Sequence, residues 1–92
     1  MNYHVIRIPE THLSPGLILD APADPVDFLL VFGDDDAESR ARLLTDDTGR
    51  PVLRVGGYVT GRGTVVQERL WAVREMAPRD GHLRLRLGHS LS

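Results

Sequence analysis

The chain has 92 residues, of which 41% are hydrophobic and 26% are charged, with a formal net charge of −2; this balance is typical of one soluble globular domain spanning residues 1–92. It contains no cysteine, which excludes disulfides, thiolate nucleophiles and cysteine-ligated zinc. All eleven basic residues are arginine, so a Schiff-base lysine and a lysine-dependent phosphate loop are excluded as well.

The net charge conceals an asymmetry between the two halves of the chain. Residues 1–50 carry four arginines against ten acidic residues, a net −6, whereas residues 51–92 carry seven arginines against three, a net +4. The two halves are expected to neutralise each other across one fold, and they would also suit self-association or docking on an anionic partner. The N-terminus lacks a signal-peptide pattern and no apolar run is long enough to span a bilayer, so we expect a cytoplasmic protein without membrane contact.

The first quarter of the chain predicts two short strands. Residues 3–8, beginning at Tyr3, alternate in polarity and are followed by a proline, which is typical of a strand. The Pro15-Gly16 pair predicts a type II turn, because this turn requires a positive φ at its third residue. Residues 16–20 are predicted to form a second, short apolar strand.

The most apolar stretch, Val26–Phe32, follows two residues that exclude a helix, Pro22 and Pro25. We predict that it forms a central strand buried on both faces. The acidic run Asp34–Asp36 with Glu38 comes next. It lacks the ligand spacing of a calcium loop, so we interpret it as a solvated loop or a helix cap.

Two segments are open to more than one interpretation. Residues 37–44 are rich in helix formers, yet residues 40–55 also read as two strands around an Asp-Asp-Thr-Gly turn, with Pro51 opening the second strand. Thr64 and Gln67 have the spacing of a capping box, and the residues that follow show a helical apolar face, but residues 65–76 can also form a strand. We favour strands in both segments; an α+β fold with one or two short helices is the alternative.

The C-terminal segment gives the clearest strand signal in the chain. Three leucines alternate with two arginines in "HLRLRLG", residues 82–88. The "PRDG" sequence before it predicts a turn, and residues 69–76 are expected to fold back as the partner strand. In that register Trp71 and Val73 join the leucines on the inner face. The outer face would carry Ala72, Arg74, Met76, Arg84 and Arg86.

The segment "VGGYVTGRGT", residues 55–64, contains four glycines in ten residues. Their spacing does not match a dinucleotide-binding fingerprint, and the lysine of a phosphate loop is missing. We interpret the segment as the sharp corner that a small closed sheet needs, since glycine tolerates bulges and positive φ. Arg62, between two of the glycines, is the candidate residue if the loop binds an anion instead.

The spacing of the four histidines predicts no metal site. They stand at positions 4, 12, 82 and 89, whereas histidine metal ligands usually lie close together in the sequence. If the first and last strands pair, His4 would lie near His82 or His89. No serine lies in a nucleophile motif, and we predict neither a metal nor an organic cofactor.

These patterns predict a small all-β domain of six or seven strands, folded as an antiparallel barrel or a two-layer roll. The leading hypothesis for function is a non-enzymatic interaction module that self-associates or docks on a protein or anionic partner. The alternative is a compact barrel enzyme or small-ligand carrier whose pocket is lined by Tyr58, Trp71 and a histidine, for which His4 is the candidate. A further alternative is nucleic-acid binding through an arginine face. The candidate anion-binding residues are Arg62, Arg74, Arg84 and Arg86.

Overall fold

The computed structural model describes residues 4–33 and 37–91, and within these ranges there is no helix, so none that could cross a membrane. The all-β prediction is confirmed, and both ambiguous segments are strands. The predictions made for Tyr3 and for Asp34–Asp36 lie outside the described residues. The strands are β1 (Val5–Ile8), β2 (Ile18–Pro22), β3 (Phe28–Phe32), β4 (Ala37–Thr45), β5 (Pro51–Val55), β6 (Tyr58–Val59), β7 (Val65–Val66), β8 (Arg69–Arg79) and β9 (His82–Ser90).

Seven strands form one sheet in the order β1-β3-β4-β5-β8-β9-β2, and β6 and β7 form a separate two-stranded ribbon. Every neighbouring pair is antiparallel except β1 and β3, which run parallel. The parallel pair arises because the chain leaves β1, forms β2 at the far edge of the sheet against β9, and returns as β3. This crossover brings β1 and β2 close together, and the sheet curls into a nearly closed barrel.

The side chains that point inward from alternate strand positions fill the barrel. In β3, Phe28, Leu30 and Phe32 are almost completely buried. Val31, on the opposite face of the same strand, is buried too. The prediction of a strand buried on both faces is therefore confirmed for residues 28–32, whereas Val26 is exposed and precedes the strand, and β3 lies next to the end strand β1 rather than at the centre of the sheet. The other buried members of the core are Ile8, Leu13, Leu19, Ala21, Ala41, Leu53, Val55, Tyr58, Trp71, Leu85 and Leu87.

The predicted turn at the Pro15-Gly16 pair is present. Gly16 has a φ of +90°, and the Leu17 N–H donates to the Ser14 carbonyl at 3.2 Å, as a type II turn requires. Because this turn extends through Leu17, β2 begins at Ile18, two residues later than expected. The strand continues through Pro22, which an end strand of the sheet tolerates.

A tight turn around Asp46 connects β4 to β5, as the Asp-Asp-Thr-Gly sequence predicts. The Asp46 carboxylate accepts hydrogen bonds from the N–H and hydroxyl of Thr48 and from the N–H of Arg50, at 2.7–2.9 Å. Gly49 has a φ of +84°, a conformation that other residues adopt at a cost. Pro51 opens β5 opposite Thr45, so the predicted hairpin is confirmed.

The β8–β9 hairpin is the predicted partner of the leucine-rich strand, but its register changes partway along. Two register shifts lie between Trp71 and Glu75. Beyond them Met76 lies directly opposite Leu85, and therefore on the leucine face. The prediction that Met76 lies on the outer face is wrong, because the extra residue, Arg74, reverses the alternation of the strand that follows.

Candidate binding site

A cleft opens at one end of the barrel, beside the β6–β7 ribbon, with a volume of about 210 Å³. One wall is the loop that precedes β2, and the other walls are the ribbon and the ends of β5 and β8. A concave and mostly apolar surface with a few polar groups at its edge is the usual form of a small-molecule site. The lining residues are His12, Leu13, Val55, Tyr58, Val66, Gln67, Arg69 and Trp71.

Two adjacent glycines place Tyr58 at this cleft. Gly56 and Gly57 join β5 to β6, and a Cβ on them would lie 3.2 Å from the Arg40 carbonyl oxygen and 3.1 Å from the Val66 carbonyl oxygen, respectively. These approaches are too close for a side chain, because neither backbone oxygen can move away freely. The glycines allow the backbone to approach these two oxygens at the corner where the chain leaves β5 of the large sheet for β6 of the ribbon, and the next residue is Tyr58.

The Tyr58 ring forms the floor of the cleft. It stacks on Phe32 with ring centroids 4.6 Å apart and planes inclined by 8°. Its hydroxyl donates to the Thr11 carbonyl at 3.1 Å, which ties β6 to the loop that forms the first wall. Burial raises the pKa of Tyr58 above its ordinary value, and the positive charge of Arg69 opposes only part of this change. The phenol therefore stays protonated at neutral pH.

Strand alternation places Trp71 and Arg69 on the same side of β8. Trp71 lies opposite Leu53 and Arg69 lies opposite Val55, both on β5. Leu53 and Val55 are buried, and only 8% of Trp71 is exposed, so this side of β8 faces the barrel interior. Arg69, at the first position of the strand, is exposed at the mouth of the barrel.

Arg69 differs from several other arginines in its electrostatic surroundings. Arg42, Arg54, Arg84 and Arg86 each lie within 4.0 Å of a carboxylate. Across residues 4–33 and 37–91, Arg69 has no such partner. Its guanidinium charge is thus available to an anion that enters the cleft.

Two further polar groups stand at the rim of the cleft. His12 is exposed, and its Nδ1 lies 3.2 Å from the Thr11 hydroxyl oxygen. Gln67, also exposed, precedes β8 and faces the same opening. Together with Arg69 they give the rim hydrogen-bonding groups, while the floor and walls are aromatic and aliphatic.

The structure brings together two of the three pocket residues suggested by the sequence. Tyr58 and Trp71 line one cleft, and the histidine beside them is His12. His4 lies elsewhere, with its ring centroid 5.1 Å from that of His82. This proximity does not require the first and last strands to pair, since β1 pairs with β3 and β9 pairs with β8 and β2.

The four candidate anion-binding arginines do not form one cluster. Arg62 is exposed in the turn between β6 and β7, where Gly63 has a φ of +83°. Arg84 donates to Asp20 at 3.0 Å and Arg86 donates to Glu75 at 3.3 Å, so two charges of the outer face are balanced locally. Arg74 lies on the same face, since its Cγ would be 3.0 Å from a Cβ placed on Gly88. Nucleic-acid binding through this face stays a prediction.

Sequence reasoning missed the three polar residues at the rim of the cleft, which are Arg69, His12 and Gln67. Arg69 carries a usable signal, because it stands two positions before Trp71 in a segment interpreted as a strand and must therefore share its face. His12 carries none. It reaches the cleft only because the loop containing it packs across the ribbon, and local sequence does not encode that contact.

Comparison with known proteins gives no relative: no protein-family profile, no curated protein and no solved structure matches this chain. Within the described part of the chain, no group of three or more histidine or acidic side chains is arranged to hold a metal ion. Any argument about function therefore rests on the geometry of the cleft and of the barrel surface.

Proposed function

We propose that this protein is a binding module whose cleft accepts a small amphipathic anion, such as an aromatic or branched-chain carboxylate. The observation that carries the proposal is the position of Arg69. A guanidinium without a carboxylate partner in the described residues stands at the edge of a pocket walled by Trp71, Tyr58 and aliphatic side chains. A ligand with an apolar body and one anionic group matches this arrangement.

The size of the cleft restricts the ligand. A volume of about 210 Å³ is below the range of roughly 300–1,000 Å³ typical of sites for drug-sized molecules. One aromatic ring or a short branched chain fits such a space, with its carboxylate directed to Arg69 at the rim. The same group could belong to a free metabolite or to the end of a partner protein, which keeps the interaction-module hypothesis within the proposal.

Binding, rather than catalysis, fits the chemistry of the lining residues. The Tyr58 hydroxyl is engaged with the Thr11 carbonyl, and its raised pKa makes it a poor base at neutral pH. Leu13, Val55 and Val66 supply only apolar surface. His12 is the one imidazole among the lining residues, and it stands at the rim without a carboxylate to orient it in the described residues.

The proposal can be tested with the fluorescence of Trp71, the only tryptophan in the chain. The intact protein is titrated with phenylacetate and, separately, with phenylacetamide, which has nearly the same shape but no charge. We expect the carboxylate to change the emission at lower concentration than the amide. Equal responses to the two compounds would show that the negative charge of the ligand does not contribute to binding. No response to either compound would reject a ligand of this class.

A second candidate function is self-association through the seam of the barrel. β1 and β2 are the two ends of the large sheet, and each exposes an apolar side chain, Val5 at 49% and Ile18 at 48%. Exposed sheet edges are common sites of strand pairing between copies.

Sedimentation over a range of protein concentrations tests this second candidate. We expect Ile18→Glu to shift the protein toward the monomer, because it places a charge on the seam. Val59→Glu alters an exposed valine on the β6–β7 ribbon, away from the seam, and should leave self-association unchanged. A wild-type protein that stays monomeric at high concentration would reject this function and leave the ligand-binding proposal untouched.

A further inference from the structure

We propose that His4 and His82 form a two-histidine site for a divalent transition-metal ion, such as Zn²⁺ or Ni²⁺. The bound ion would link the start of β1 to the β8–β9 hairpin. This site is independent of the cleft. It lies at the start of β1, whereas the other end of β1 pairs Ile8 with Phe32, the residue that stacks on Tyr58.

The distance between the two imidazoles suits a shared metal ion. Their ring centroids are 5.1 Å apart and their planes are inclined by 42°. When two histidines bind one metal through nitrogens at about 2.0–2.1 Å, with a ligand–metal–ligand angle between a right angle and the tetrahedral value, their centroids lie roughly 4.5–5.2 Å apart. The observed separation of the His4 and His82 centroids falls within this range.

Hydrogen bonds fix the backbone of both residues before any metal binds. The His4 carbonyl accepts from the Leu29 N–H at 2.9 Å, which extends the pairing of β1 with β3. His82 is the first residue of β9 and lies between Pro22 of β2 and Arg79 of β8. One ligand therefore precedes the end strand β1 and the other lies on β9, next to the opposite end strand β2, so a metal between them would bridge the seam of the barrel.

The hydrogen bond of His82 leaves one ring nitrogen, Nε2, free to bind a metal. Its Nδ1 lies 3.2 Å from the Asp80 carbonyl oxygen. A carbonyl oxygen can only accept, so this bond requires the proton on Nδ1 and leaves the lone pair on Nε2. Metal-ligating histidines usually donate their second ring N–H to a carbonyl or carboxylate in this way, which fixes the tautomer and the ring orientation.

Charged groups near the pair moderate the affinity. Asp20 and Arg79 are charged residues near His82. Arg84 holds the pKa of Asp20 below its ordinary value, with smaller contributions from Arg79 and His82, and Arg79 lies directly opposite His82 in the hairpin. Asp20 on β2 attracts a cation, although its carboxylate is already bonded to Arg84, while Arg79 on β8 repels one. With two protein ligands, the remaining coordination positions are left to water, and we expect modest rather than structural-site affinity.

The experiment measures thermal unfolding of the untagged full chain with and without Zn²⁺ or Ni²⁺ at neutral pH. A metal that binds the folded state raises the unfolding temperature. We expect His4→Ala and His82→Ala to abolish this rise. The other two histidines provide matched controls, and His12→Ala and His89→Ala should keep it. A rise that persists in both His4→Ala and His82→Ala, or no rise in the wild type, would overturn the proposal.

A second measurement does not depend on the stability of the variants. Ni²⁺ at sub-stoichiometric amounts broadens the NMR signals of nearby imidazoles. In the wild type we expect the ring signals of His4 and His82 to broaden before those of His12 and His89. Equal broadening of all four histidines would contradict a specific site. Binding of phenylacetate in the cleft should be the same with and without the metal.

Discussion

The Tyr58 ring stacks almost parallel on the Phe32 ring, with centroids 4.6 Å apart. The contact joins the short β6–β7 ribbon to the core of the large sheet, because Phe32 belongs to β3 of that sheet and is only 1% exposed. Tyr58 therefore has a structural role in attaching the ribbon and a second role as the floor of the cleft.

Substitution at Tyr58 should separate these contributions. Tyr58→Phe keeps the stack and removes the part-buried hydrogen bond to the Thr11 carbonyl, so we expect a loss of about 0.5–1.5 kcal/mol in the free energy of unfolding. Tyr58→Ala also removes the packed ring and should cost about 3–5 kcal/mol. Urea unfolding followed by far-UV circular dichroism measures both. A cost below roughly 1 kcal/mol for the alanine variant would show that the ring is not packed as described.

Trp71 is the second aromatic residue on which both the core and the cleft depend. Because only 8% of the Trp71 side chain is exposed, we expect Trp71→Ala to destabilise the protein by about 3–5 kcal/mol. Trp71→Phe retains an aromatic ring opposite Leu53 and should cost clearly less. Chemical unfolding of the two variants under identical conditions makes the comparison. Equal and small losses for both variants would mean that the indole lies in solvent.

The corner before Tyr58 should tolerate no side chain at Gly57. In Gly57→Ala the new methyl group would lie 3.1 Å from the Val66 carbonyl oxygen, and a loss of about 1–3 kcal/mol is expected from the backbone movement that relieves it. Gly88→Ala is a useful comparison, because its two nearest neighbours are side-chain atoms: the Arg74 Cγ at 3.0 Å, which can rotate away, and the Ala72 Cβ at 3.3 Å. We expect the Gly88 variant to be the more stable of the two in thermal unfolding. The reverse order would contradict the close approach at the corner.

Part of the acid sensitivity of the protein should come from the β4–β5 turn. Hydrogen bonds from the Thr48 side chain and from the backbone N–H groups of Arg50 and Thr48 lower the pKa of Asp46 below its ordinary value of 3.8. A carboxylate with a lowered folded-state pKa stabilises the fold above its unfolded-state pKa, and this stability is lost as the pH falls through the folded-state value.

We therefore expect unfolding experiments to show a shallower loss of stability below pH 3.8 in Asp46→Ala than in the wild type. Asp47→Ala removes the same charge from the same turn, while the hydrogen bonds of the turn described above all end on Asp46. This control should keep the acid response of the wild type. If the two variants respond identically to acid, the turn contributes only general charge.

The strand content of this chain was accessible to sequence reasoning because its residues alternate in polarity. The leucines of β9 face inward at every second position, and Leu85 and Leu87 are fully buried. The turn at Gly49 and the proline at the start of β5 could also be predicted from the sequence. Glycine is favoured where a turn needs a positive φ, and proline in a sheet is largely confined to strand starts and edges. Local chemistry therefore predicted the hairpins.

Long-range features were not readable in the same way. The parallel pairing of β1 with β3 depends on where β2 attaches, and no local pattern specifies that. The bulge at Arg74 moved Met76 to the leucine face, because one extra residue inverts the alternation of everything that follows. The candidate site shows both situations: Tyr58 and Trp71 were suggested by residue type, whereas His12 depends on how a distant loop packs.

The most direct test of the ligand-binding proposal compares Arg69→Gln with Arg79→Gln in the Trp71 fluorescence titration. Both substitutions remove one exposed arginine charge, but Arg79 stands at the end of β8, next to the turn of the β8–β9 hairpin, and is not among the cleft residues. We expect Arg69→Gln to weaken phenylacetate binding by about 10- to 100-fold, the loss typical of one charge-assisted hydrogen bond, and to leave phenylacetamide binding unchanged. Arg79→Gln should bind both as the wild type does. If Arg69→Gln retains wild-type affinity for phenylacetate, the cleft does not bind anions through this arginine and the proposal is wrong.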